Sequence, residues 1–186
     1  MSERPWRISR ETLDERQRQV YDDIAAGPRG RVPAPYHVLL ANPDVAAPAQ
    51  ALGAVMRYGT DMPRKYAELA IICTSRVWGT GYEWHAHAPE AARQGVPDAV
   101  IEAIRLEREP QFADPDMALV YRFAMSALRT RQVGDEVFDA MLARFGRTAV
   151  AEVTALIGYY SLLAVTMNVF KVSEAPSPFP SGDPAA

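Results

Sequence analysis

Over residues 153–170 the chain is apolar on most sides at helical spacing, through Leu156, Ile157, Tyr159, Tyr160, Leu162, Leu163, Val165 and Met167. A helix with so much apolar circumference has to be buried, inside its own domain or against another subunit. It therefore needs other helices to enclose it, and the rest of the sequence offers them. Leu13, Val20, Tyr21 and Ile24 form a stripe that starts at a capping box read from Thr12 and Glu15 and stops near Gly27. Residues 27–35, rich in Pro and Gly, read as a loop. Residues 44–58 repeat the helical pattern through Val45, Leu52, Val55 and Met56, and Pro63 opens the helix that carries Glu68. The pattern breaks between Trp78 and Gly81, where Thr80 is placed to cap the next helix.

Gly95-Val96-Pro97-Asp98 closes that helix and opens another, with Val100, Ile101 and Ile104 facing inward. Asp114-Pro115 is a cap followed by a first-turn proline, ahead of Val120, Phe123 and Leu128, and residues 135–145 and 149–170 complete the set. Residues 96–104 and 133–141 echo each other faintly, as two helices that begin alike. Alternating runs bounded by turns are nearly absent. The expected fold class is all-α: a single helical domain over 1–172, with its core from about 35, an N-terminal helix over 12–26, and a Pro-rich, disordered or extended tail over 173–186.

At 186 residues, 48% apolar and 23% charged, the chain is long enough for one substantial core. Its 23 acidic and 20 basic residues are mixed, and no basic block, zinc spacing or aromatic-basic ribbon is present, so no nucleic-acid partner is expected. The first residues have no apolar run resembling a signal peptide, and no window is expected to reach the length of a membrane span. With one cysteine besides, a cytoplasmic location is expected and no membrane partner.

Glu83 and His87 stand one helical turn apart and so share a face, with Glu68 fifteen residues upstream of Glu83. Carboxylates beside an imidazole are equipment for moving protons at neutral pH. Each residue also has a plain reading. Glu83 fits a capping box with Thr80, His87 fits a hydrogen-bonded core histidine, and Glu68 fits an ion pair with Arg64 one turn earlier. If Glu68 lies buried beside Glu83, repulsion raises one of the two pKa values. A metal set of Glu83, His85 and His87 is disfavoured, because His85 points about 160° away from His87 on a regular helix. No metal and no cofactor is expected.

These residues sit in a recognisable frame. Glu68-Leu69-Ala70-Ile71 and Tyr82-Glu83-Trp84-His85-Ala86-His87-Ala88-Pro89-Glu90-Ala91 resemble the paired signature of the carboxymuconolactone decarboxylase family, with weaker similarity over about 35–172, including Leu39-Leu40-Ala41-Asn42-Pro43 and Gly158-Tyr159-Tyr160. The resemblance implies an alkylhydroperoxidase D-like helical fold and a trimeric or hexameric homo-oligomer. The redox branch of that fold carries Cys-x-x-Cys-x-x-x-His, and aligning His87 with its histidine puts Thr80 and Glu83 at the two cysteines. A single Cys73 in the apolar run 69–74 reads as an inert buried thiol and leaves dithiol peroxidase chemistry without a partner sulfur.

The resemblance implies a cofactor-independent lyase acting on a small carboxylated lactone or unsaturated acid. Glu68, Glu83 and His87 are its catalytic candidates, His87 delivering a proton, Glu83 orienting it, and Glu68 serving as the second acid or base. Arg57, Arg64, Tyr82, Trp84 and His85 are candidates for substrate binding, the arginines through bidentate contacts to a retained carboxylate. Tyr159 or Tyr160 would close the pocket. Isomerisation or hydration by the same acid-base pair, and a non-catalytic oligomeric ligand-binding module, are the alternatives. The N-terminal helix and the tail are additions that cover the pocket or extend a subunit contact.

Overall fold

The computed structural model describes Arg4 and residues 6–180; the last six residues of the tail lie outside the described residues, as do residues 1–3 and 5. After a 3-10 turn at Arg10–Thr12 come α1 (Glu15–Ala26), α2 (Ala34–Leu39), α3 (Pro43–Tyr58), α4 (Arg64–Trp78), α5 (Gly81–Arg93), α6 (Asp98–Arg105), α7 (Pro115–Arg129) and α8 (Asp135–Phe170). No strand occurs among the described residues, and the fold is all-α.

The domain is organised around α4. Every residue from Tyr66 to Arg76 is buried, and α5, α6, α7 and α8 all pack on this helix. Such a helix suits a central position because Ala67, Ala70, Cys73, Thr74 and Ser75 are small enough to admit neighbours closely. α8 supplies the largest share of the surrounding core through Val153, Leu156, Ile157, Tyr160, Leu163 and Met167. A kink at Gly146 (φ 80°, ψ 168°) divides it into two helical segments, as the sequence reads. Contrary to expectation, α8 is long and apolar enough to cross a membrane by length and composition, with an 18-residue window of mean hydropathy 1.6. Its inward face is the core of the bundle.

Several boundaries differ from the sequence reading. The capping box of α1 is formed by Asp14 and Gln17, not Thr12 and Glu15, because Thr12 is spent closing the preceding turn on Ser9. The loop over 27–35 is shorter than expected, since α2 begins at Ala34. α2 joins Val20 and Ile24 of α1 to Ala46 of α3 in a small second core through Tyr36 and Leu40.

Of the apolar stripe read on α3, only Met56 faces inward. Val45, Leu52 and Val55 are 44%, 44% and 51% exposed, while Ala46, Gly53 and Met56 are buried. Small residues let α3 approach the bundle closely, a signal that apolar periodicity does not carry. In the tail, Phe179 is buried against Trp84, with ring centroids 5.4 Å apart, and Arg105 donates to the Pro178 carbonyl at 2.6 Å. The described part of the tail is thus an extended strap across the back of α5.

The turn from α4 to α5 fixes the relation between the two motif helices. Gly79 is left-handed (φ 65°, ψ 28°) at the end of α4, Thr80 N–H donates to the Ser75 carbonyl at 2.9 Å, and Ser75 Oγ donates to the Thr80 carbonyl at 2.7 Å. A residue with a Cβ is strained there by about 1–2 kcal/mol. Gly79→Ala is expected to lower Tm by several degrees, measured by thermal denaturation, and an unchanged Tm would refute the tight role assigned to this turn.

Candidate functional site

Glu68 is fully buried in the middle of α4. A carboxylate in that position is tolerable only if its oxygens are paired. Oε2 accepts a hydrogen bond from His87 Nδ1 at 2.7 Å, and Oε1 forms an ion pair with the Arg64 guanidinium one turn back. Arg64 also donates to the Arg57 carbonyl at 2.5 Å, tying the start of α4 to the end of α3.

Holding Nδ1 in this way directs the other ring nitrogen outward. His87 Nε2 lies 3.4 Å from Glu83 Oε2. The three side chains thus form a line, Glu68 to His87 to Glu83, with Arg64 behind it. Because the two carboxylates meet opposite nitrogens of one imidazole, they do not converge on a common point. Tyr160 meets the His87 ring edge-on at 5.0 Å and fixes its plane.

The capping-box alternative for Glu83 does not hold. Thr80 makes no side-chain cap; its Oγ1 donates to the Ser75 carbonyl at 3.3 Å, and Glu83 turns toward His87. Burial pushes the Glu83 carboxyl above its ordinary range; nearby His87, Arg57 and Arg29 oppose the rise, and Glu68 adds a little to it. Glu83 is therefore a carboxyl able to hold a proton beside an imidazole. Burial, and then Glu83 and Glu68, push the Tyr160 phenol well above its usual value, so it stays a neutral hydrogen-bond donor.

The line ends at a cavity of about 240 Å³, walled by Glu83, His87, Ala86 and Tyr82 of α5, Arg57 and Tyr58 of α3, Tyr159, Tyr160 and Leu163 of α8, and the stretch containing Pro28, Arg29, Arg31, Pro33, Pro35 and Tyr36. Tyr36 and Tyr159 share a hydrogen bond of 2.5 Å between hydroxyls. Gly53 makes room for it: a Cβ there would lie 2.1 Å from the Tyr159 hydroxyl. Arg57 Nε is buried without a hydrogen-bond partner. A larger hollow of about 450 Å³ between the α4–α5 turn and the tail has Lys171 as its one charged lining residue, and offers little chemistry.

The placement of the predicted residues is uneven. Glu68, Glu83 and His87 come together, and Arg57 and Tyr82 line the cavity. The roles within the set differ from expectation: Glu68 is the residue that orients His87, and Glu83 is the one facing the cavity. Arg64 is spent on Glu68 and does not line the cavity. Trp84 packs behind α5 under Phe179, and His85 is exposed with Nε2 donating to the Pro176 carbonyl at 2.9 Å. Neither reaches the site. Arg29 and Arg31 escaped the sequence reading because they belong to a stretch read as loop, where an arginine is by default solvated, and Tyr36 because α2 was not expected. Cys73 is buried, and burial raises its thiol pKa far above normal, which leaves it inert.

Comparison with known proteins gives the frame for this geometry. No curated protein matches the chain. Among solved structures, a cysteine-to-alanine variant of the debrominase Bmp8 in complex with 2,3,4-tribromopyrrole is similar with a TM-score of 0.72 at 17% identity, over 96% of this chain and 95% of that one. At that identity the likeness is one of fold. The carboxymuconolactone decarboxylase family model matches residues 43–125, the stretch that holds Glu68, Glu83, His87 and Arg57. Residues 43–125 thus match the carboxymuconolactone decarboxylase family, within a helical fold similar to that of the Bmp8 structure.

Proposed function

We propose that this protein is a carbon–carbon lyase that needs no cofactor and decarboxylates a small unsaturated or lactone ring acid. The observation that carries this reading is the Glu68–His87–Glu83 line ending at the cavity, with hydrogen-bonding distance at one link and 3.4 Å at the other. The bond from ring to carboxylate breaks, CO2 leaves, and the electron pair passes into a conjugated carbonyl as an enolate or dienolate. That carbanion is then protonated at carbon. His87, fixed by Glu68, shares a proton with Glu83, whose carboxyl burial pushes above its ordinary range and so favours holding that proton. Arg57 offers its unpartnered Nε to a carboxylate or to the oxygen where charge develops. The volume suits one substituted ring, and a five-membered ring is what the Bmp8 complex holds.

Isomerisation or hydration would use the same pair. A purely binding role fits less well, because His87 Nε2 and Glu83 are held by each other only at 3.4 Å and both line the cavity. The test is incubation with 4-carboxymuconolactone and a panel of carboxylated lactones and β-keto acids, following CO2 and product by NMR. Release by the wild type and not by His87→Ala is the expected result. Products formed without CO2 would move the assignment to isomerisation or hydration.

Self-association is part of the same proposal. On the exposed side of α8, Ala151, Ala155, Gly158, Leu162, Val165 and Val169 recur at alternating intervals of four and three residues, the spacing of a seam between two helices. Small residues fill one half and bulky ones the other. A second copy laid antiparallel would set Leu162, Val165 and Val169 against Gly158, Ala155 and Ala151, a self-complementary two-fold contact. Light scattering at micromolar concentration is expected to give a multiple of the 20.5 kDa chain mass, and Leu162→Lys to reduce it. A monomeric wild type would refute the contact.

A further inference from the structure

Tyr36, Tyr58, Tyr82, Tyr159 and Tyr160 all line the cavity, and their hydroxyls are not equally satisfied. Tyr36 and Tyr159 bond to each other at 2.5 Å, and Tyr82 accepts from the Ala34 N–H at 3.3 Å. Tyr58 is half exposed and meets water. The Tyr160 hydroxyl makes no hydrogen bond among the described residues, although the residue is only 4% exposed. A polar group taken out of water needs a partner, and the cavity that Tyr160 lines is where one can enter.

The Tyr160 ring is held from two sides. His87 meets it at 5.0 Å and Tyr159 at 5.2 Å between centroids, each nearly perpendicular to it. Tyr159 is in turn anchored by its bond to Tyr36. Arg57, carried on α3, brings a second unpartnered donor, Nε, to the same cavity and interacts electrostatically with Tyr160. Two donors that the protein leaves unpaired therefore stand beside the Glu68–His87–Glu83 line, and the ring bearing one of them touches His87 itself.

We infer that Tyr160 is a further catalytic residue, whose hydroxyl forms with Arg57 Nε–H the oxyanion hole for the enolate oxygen left when CO2 departs. This rests on the proposed lyase reaction and assigns its electrostatic half. As the bond to the carboxylate breaks, its electron pair moves through the conjugated system onto the carbonyl oxygen, where the two donors meet it. The pair then returns to form a C–H bond with the proton delivered from His87 and Glu83, which is replaced from water. The two tasks need different groups, because a donor that surrendered its proton to oxygen would leave an enol in place of the product protonated at carbon. Burial, and then Glu83 and Glu68, hold the Tyr160 phenol well above its usual value, so it donates a hydrogen bond and keeps the proton.

Equilibrium binding of unreactive rings tests the hole without any turnover. 4-Nitrophenolate carries its charge on an oxygen conjugated to a ring, as the enolate does, and nitrobenzene is the same ring without that oxygen. By calorimetry, the wild type is expected to bind 4-nitrophenolate about 10- to 100-fold more tightly than Tyr160→Phe does, as one hydrogen bond to a charged group allows. Nitrobenzene should bind both proteins alike. Tyr160→Phe keeps the ring against His87, and because it removes a buried hydroxyl without a partner, its Tm should not fall. With a substrate that turns over, the same change should lower kcat by about 10²- to 10³-fold with little effect on KM, the mark of a contact made in the transition state. Equal affinity of the two proteins for 4-nitrophenolate, including none in either, would overturn the assignment. So would a loss shared by nitrobenzene, which points to packing, or a lowered Tm, which points to a structural hydroxyl. Because the binding arm measures no CO2, a working lyase without the phenolate preference refutes the hole alone, and the preference without CO2 release refutes the lyase reading alone.

Discussion

Replacing Glu68 with alanine is expected to cost about 3–5 kcal/mol of stability, the usual penalty for breaking a buried charge network from one side. The loss has three parts. Arg64 is left without its carboxylate, His87 Nδ1 without its acceptor, and the centre of α4 with a void at a position fully shielded from water. In a domain of this size that corresponds to roughly 6–20 °C in Tm. Glu68→Gln keeps the volume and an oxygen for His87 Nδ1–H, so it should lose less stability but leave Arg64 unpaired. Turnover should fall in both variants, since His87 loses the partner that sets its orientation. Thermal and urea denaturation check the first claim, and a Glu68→Ala protein within about 1 kcal/mol of wild type would mean that the network holds little of the fold together.

Glu83 is predicted to behave in the opposite sense. Glu83→Gln should reduce kcat by about 10²- to 10⁴-fold, as expected for removing a general acid or base, and at the same time raise the Tm at neutral and alkaline pH. The reason is linkage. Burial raises the folded-state pKa of Glu83 above its unfolded value near 4.5, so below that value the carboxyl is protonated in both states and contributes nothing. As pH climbs past it, the unfolded chain gives up the proton while the folded chain retains it, and folding loses stability until the raised pKa is passed. Glutamine removes this dependence. The wild type should therefore lose stability relative to Glu83→Gln as pH rises above about 4.5, a trend read from Tm across pH. His87→Ala should abolish turnover to a similar extent. Full activity in folded Glu83→Gln and His87→Ala would refute the catalytic assignment, and a Glu83→Gln protein less stable than wild type at pH 8 would refute the burial argument.

The opposed predictions for two glutamates fifteen residues apart illustrate how much of the site was legible in the chain. One-turn spacing put Glu83 and His87 on a common face of α5, and the break at Gly79 put Glu68 on a separate helix. That the three belong together followed from the motif pair. Which carboxylate orients the imidazole and which faces the cavity did not follow, because both lie within reach of His87 and only the angle between α4 and α5 distinguishes them. The same holds for the arginines. Arg64 and Arg57 have equal standing in the sequence, yet packing spends the first on Glu68 and leaves the second with an orphaned Nε at the cavity.

Local chemistry was enough for the elements themselves. Periodicity at 3.6 residues, the Asp114-Pro115 cap and the glycine after Trp78 specify an all-α chain with α4 and α5 adjacent, since these signals act over a few residues. Three features needed the tertiary structure. The outward turn of most of the α3 stripe depends on Gly53 and Ala46 approaching the bundle, the strap depends on Phe179 finding Trp84, and one wall of the cavity depends on a loop folding back over α8. Each pairs residues distant in the chain through shape, and a sequence encodes such meetings only jointly, in the volumes of many side chains at once. The sequence by itself determined most of the helices and singled out Glu68, Glu83 and His87; the close packing of those helices decided which of its charged groups remain free to meet a ligand.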